Sequence, residues 1–101
     1  ILLPYVIAYN FPKIKNELSN IARYLDLNDH GPKALIEWLL KLRKKIGIPN
    51  TLQALGPTKN DIDQLTALAL IDPAAPGNPR PLSKEIISNI YKNSLDGNLI
   101  F

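Results

Sequence analysis

Apolar residues recur at helical spacing along almost the whole of this chain, in stretches that are each opened or closed by proline, glycine or a capping side chain. The nine prolines fall mainly between those stretches, where a residue with fixed φ and no N–H starts or stops a helix without sacrificing a hydrogen bond. No alternating apolar and polar run bounded like a strand intervenes. This punctuation confines the 101-residue sequence to an all-α fold of short amphipathic helices, whose short connections favour antiparallel neighbours in a compact bundle. A chain of this length buries roughly two thirds of its unfolded surface. That suffices for one core, so residues 1–101 read as a single all-helical segment.

The first helix is expected from Pro4 to Asn10, mostly buried because Leu3, Val6 and Ile7 leave it little polar surface. A second begins near Pro12 and carries Ile14, Leu18, Ile21, Ala22 and Leu25 on one face. "DLNDHG" breaks that pattern, and Pro32 opens a third helix with an inner stripe of Leu35, Leu39, Leu42 and Ile46, widened by Ile36 and Leu40 and closed by Gly47. After a short turn through "TLQAL", Thr58 is placed to cap a helix whose inward residues are Ile62, Leu65, Leu68 and Ala69. "DPAAPGNPRP" is too rich in proline and glycine for regular structure. Ser83 then caps a last helix, with Ile86, Ile87, Ile90 and Tyr91 inward and Gly97 at its end.

Composition removes several chemistries from this segment. There is no cysteine, hence no disulfide framework, thiolate metal site or cysteine nucleophile, and a reducing, cytoplasmic location is expected. His30 is the only histidine, and it lies in a polar turn beside Asp29 with no second imidazole or carboxylate cluster, so it reads as a solvated loop residue. The net charge of +3 is concentrated in "KLRKK". Lys41, Arg43, Lys44 and Lys45 could neutralise phosphates, but no recognition helix follows, and basic residues in a last turn complement the helix dipole while their stems cover the neighbouring stripe. No nucleic-acid partner is expected. Asp61 and Asp63, two apart on a helix, point in different directions and cannot work as an acid–base pair. The apolar run from Ile1 to Ala8 is far too short to span a bilayer, so no membrane anchor is expected.

One stretch stands out. The rigid, small-residue connection "IDPAAPGNPRP" between two strong helices is either a stiff linker or a place where a ligand or another surface approaches closely.

Taken in order, "LLPYVIAYN", "IARYL", "IGIPNTLQALG", "DIDQLTALAL" and "NPRPLSKEIISNIY" resemble the C-terminal helical domain of the iron-containing (group III) alcohol dehydrogenase family. "GIPNTLQALG" is close to that family's G-I-P-x-x-L-x-x-L-G turn. The resemblance implies a dehydroquinate-synthase-like architecture, in which an N-terminal dinucleotide-binding α/β domain meets a C-terminal helical domain across the active-site cleft. It implies a parent enzyme that passes a hydride between NAD(P) and a small alcohol or aldehyde, with iron or another divalent metal on the substrate oxygen. In the family, "LLP" directly follows a metal-binding histidine-glycine pair. Ile1, which opens the chain inside an apolar run with no Met, is therefore expected to start just downstream of that ligand, with the dinucleotide-binding domain lying outside these residues.

On that resemblance the segment itself supplies no catalytic, cofactor-binding or metal-binding residue and is inactive alone. Asp72, Pro73 and Ala74 match the loop near the substrate pocket and would form part of its wall. Asn78, Pro79 and Arg80 match the family's N-P-R and are read as structural, Pro79 stiffening the turn and Arg80 donating to backbone carbonyls. Tyr5 stands where many members carry histidine, and Pro73 with Pro76 makes the pocket loop stiff. The partner is the N-terminal part of the same enzyme, and a segment separated from it should expose apolar surface, chiefly on the first helix, and self-associate. An autonomous helical interaction module is the alternative from a different class.

Overall fold

Two helical pairs are joined by a short apolar helix that touches both. The computed structural model describes residues 1–101. Its helices are α1 (Leu3–Asn10), α2 (Lys15–Tyr24), α3 (Ala34–Lys45), α4 (Ile62–Leu70) and α5 (Lys84–Asp96), with short 3-10 turns at Leu52–Leu55, Lys59–Asp61 and Ala75–Gly77. There are no strands. α2 packs on α3 and α4 on α5, while α1 lies against both α3 and α5. The molecule measures 41 × 30 × 21 Å. No helix is long and apolar enough to cross a membrane.

The local signals explain the ends of these elements. Ser83 Oγ accepts from the Ile86 N–H at 3.2 Å and starts α5. Gly97, at φ 73°, ends it in the left-handed conformation, and the Asn98 N–H returns to the Asn93 carbonyl at 2.9 Å. Thr58 caps one turn earlier than a cap of α4 itself would: its Oγ1 accepts from the Asn60 N–H and its own N–H donates to Asp61 Oδ2 at 2.7 Å, closing a capping box on the 3-10 turn that runs into α4. Two helix starts fall later than the prolines suggest, since Pro12 and Pro32 sit in the turns before α2 and α3. The connection 72–81 is more regular than its composition predicts, because the fixed φ of Pro76 suits the 3-10 turn at Ala75–Gly77.

The core is formed by Leu18 and Ala22 of α2, Ala34, Leu35 and Ile36 of α3, Tyr5 of α1, Ile62 of α4, and Ile87 and Leu95 of α5. The stripe of α3 lies on its expected side but is covered only along part of its length, Leu35 being buried and Leu39 and Leu42 half-buried. Ile36 is fully enclosed while Ile46 is 58% exposed, because the C-terminal half of the helix extends past the elements that cover its first turn. Tyr5 is buried, and its hydroxyl donates to the Asn50 carbonyl at 2.9 Å, tying α1 to the loop after α3.

Candidate functional site

The C-terminal end of α1 is held to the loop before α5 by side chains. Asn10, 4% exposed, and Asn78 exchange two amide hydrogen bonds, Asn10 Nδ2 to Asn78 Oδ1 at 2.8 Å and Asn78 Nδ2 to Asn10 Oδ1 at 2.9 Å. Asn78 Nδ2 also donates to the Arg80 carbonyl at 2.6 Å. Arg80 donates to the Tyr9 carbonyl, and its guanidinium lies 4.2 Å from the centre of the Tyr9 ring. Tyr9 returns a hydroxyl hydrogen bond to the Pro81 carbonyl at 2.5 Å. Pro79 is exposed and sets the backbone between the two polar anchors.

Asn78 of this clasp, with Pro79, borders a cleft of about 690 Å³ between α1, α4, α5 and the connection 72–82. Leu2 and Val6 of α1, Leu65 and Leu68 of α4, and Ile87, Ile90 and Tyr91 of α5 supply its apolar walls. Its size and lining suit a small organic ligand. Asp72 and Ala74 stand on its edge with Ala75, Gly77 and Asn78, whereas Pro73 is exposed and takes no part in the lining. Asp72 Oδ1 accepts from the Ala74 N–H at 2.7 Å, so its carboxylate holds the loop in a tight turn. Small side chains at Ala69, Ala74, Ala75 and Gly77 keep this side open.

Several cleft residues had looked like core. Leu68, assigned to the inward stripe of α4, is 55% exposed and faces the cleft. The signal that could have revealed this was α1, apolar on every side, together with more apolar surface on α4 and α5 than one mutual contact consumes.

The chain's own donors do not make a metal centre. His30 is exposed between α2 and α3, and no three histidine, aspartate or glutamate side chains come together closely enough to hold an ion. Asp61 is engaged in its capping box and Asp63 faces solvent. An iron ion therefore does not fit the residues of this segment.

Residues 1–95 match the model described as Fe-containing alcohol dehydrogenase family, C-terminal. The chain is 34% identical over 97 residues to lactaldehyde reductase of Escherichia coli (strain K12), covering 90% of this chain and 25% of that protein. It is 30% identical over 97 residues to maleylacetate reductase of Burkholderia cepacia (96% and 26%) and 29% identical over 100 residues to 1,3-propanediol dehydrogenase of Citrobacter freundii (93% and 26%). It spans about a quarter of the length of these curated relatives. A match that takes in almost every helix and the connection beside the cleft establishes that the chain belongs to the Fe-containing alcohol dehydrogenase family, whose C-terminal portion it represents.

Proposed function

We propose that this chain is the C-terminal helical part of a larger cytoplasmic enzyme that interconverts small alcohols and aldehydes with a nicotinamide cofactor, and that the cleft between α1, α4 and α5 forms one wall of its substrate pocket. The observation that carries the reading is the cleft itself: an apolar space of about 690 Å³, bordered by Asp72 and Ala74, in a chain of this family. Relatives named as a lactaldehyde reductase and a 1,3-propanediol dehydrogenase support a small oxygenated substrate. In this reading the remainder of the enzyme holds the metal and the cofactor, and the lack of any three clustered histidine, aspartate or glutamate side chains in this segment supports that placement for the metal.

In this reading the segment's work is positional. The apolar walls exclude water and hold the carbon skeleton of the substrate, so that its oxygen is presented outward to the rest of the active site. The Asp72 turn fixes Ala74 at the edge, and the paired amides of Asn10 and Asn78 with Arg80 on Tyr9 keep that edge from moving away from α1. Separated from its parent, the segment binds no iron or cofactor and turns nothing over.

The test is the full-length enzyme, supplied with iron and assayed with NADH and NADPH against aldehydes of increasing chain length. Ala74→Phe is expected to raise KM for the longer aldehydes roughly tenfold relative to the shortest one, as lost pocket volume discriminates by size. Absence of nicotinamide-dependent turnover by the wild type would overturn the reading, and so would a change in KM that ignores chain length.

A further inference from the structure

A second groove, of about 180 Å³, lies between the start of α1 and the C-terminal half of α3. Leu3 and Pro4 form one side, Leu42, Ile46 and Ile48 the other, and Arg43 is its one charged side chain. Much of this surface is open: Leu3 is 55% exposed and Ile46 58%. The helix from which Leu3 projects is apolar all round, a composition that belongs to a helix covered on every side. Pro4 and Tyr5 are buried behind Leu3, so the open side of this helix is confined to its first turn.

Arg43 indicates what the groove lacks. Its Nε and Nη1 are shut away from solvent, and neither has a hydrogen-bond acceptor in the chain. The chain's ion pair, Lys59 with Asp96, does not involve it. A guanidinium cannot shed its proton to escape such a position, so desolvated N–H groups need an acceptor. Complementing the helix dipole would call for a cation at the wet end of α3; it gives no reason to bury two donors against leucine and isoleucine.

We infer that this groove seats an apolar segment from the rest of the enzyme that presents an aspartate or glutamate carboxylate to Arg43. The inference rests on the reading of this chain as part of a larger enzyme, which its quarter share of the relatives' length supports. A carboxylate takes one of these two orphaned N–H groups together with Nη2 in a pair of parallel hydrogen bonds, and Lys41, Lys44 and Lys45 on the same helix add to the positive field that draws it in. A second copy of the chain is the poorer occupant. Pairing this face with itself about a two-fold axis would set the basic turn of one α3 close to that of the other.

The experiment uses the full-length enzyme carrying R43K, which puts a primary amine at the mouth of the groove. Zero-length carbodiimide coupling followed by peptide mass spectrometry is expected to yield an isopeptide bond between position 43 and an aspartate or glutamate outside residues 1–101 of the same polypeptide, with no such product from the wild type. No product at position 43, or a product joining two copies only, overturns the inference. R43M, which keeps the aliphatic stem, is expected to lower the melting temperature of the full-length enzyme by several degrees, with R43K in between. An unchanged or higher melting point for R43M also overturns it, since removing an unpaired half-buried cation would then have relieved the fold. Turnover of the wild-type enzyme is measured in the same preparation: activity without coupling at position 43 defeats this inference alone, whereas absent activity defeats the enzyme reading.

Discussion

The two ends of α1 solve the same problem in opposite ways. At the C-terminal end, Tyr9 and Asn10 meet Asn78, Arg80 and Pro81, and each polar side chain of that clasp finds a partner inside the chain. At the N-terminal end, Leu3 and Pro4 border an open apolar groove in which two nitrogens of Arg43 have none. An eight-residue helix with apolar residues on every side and its polar groups at its C-terminal end is thus closed at that end and left open at the other. The fold satisfies its own polar groups where α1 meets the clasp, and on the inference above it leaves Leu3 and Arg43 to the rest of the enzyme.

Asn10→Leu removes half of a reciprocal amide pair and leaves Asn78 short of partners in a partly buried place, so urea unfolding of the chain should show a loss of about 2–3 kcal/mol. A loss below about 0.5 kcal/mol would mean that the clasp contributes nothing, since that is the range of an indifferent surface change. Tyr5→Phe sits between the two ends. It deletes the one bond to the Asn50 carbonyl, whose residue is exposed and can turn to water, and should cost about 1 kcal/mol in the same measurement. Leu3→Ser at the open end should change the stability of the isolated chain by no more than about 0.5 kcal/mol. If it proves more damaging than Asn10→Leu, the open end is already covered within this chain and the contrast disappears.

The sequence made the helices legible because their signals are local. Periodicity placed α2, α4 and α5, and the capping roles of Ser83 and Gly97 follow from chemistry within four residues of each helix end. What it concealed lies between elements distant along the chain. Asn10 read as an ordinary helix end, and nothing within its neighbourhood announces a partner 68 residues later. Leu68 and Ile46 carry the correct period for a core stripe, yet period specifies only which side of a helix is apolar, not whether anything in this chain covers it. Arg43 reads as one of four basic residues whose stems cover the neighbouring stripe, and no local signal marks its Nε and Nη1 as enclosed without an acceptor. The stretch 71–81 stands out by its composition, but the cleft beside it exists only once four separate stretches have met.

The clasp also bears on the order in which the molecule assembles. Its hydrogen bonds join residues 68 to 72 positions apart, whereas α2 meets α3, and α4 meets α5, across short connections. Closing the longer loop demands more chain entropy before any contact rewards it, so the two helical pairs are expected to form before α1 closes onto the connection ahead of α5. Interactions made after the transition state act almost entirely on the rate of unfolding. The asparagine pair and the arginine on Tyr9 are therefore a latch in the kinetic sense: they do little to bring the chain together, and they govern how long it stays together once α1 has arrived.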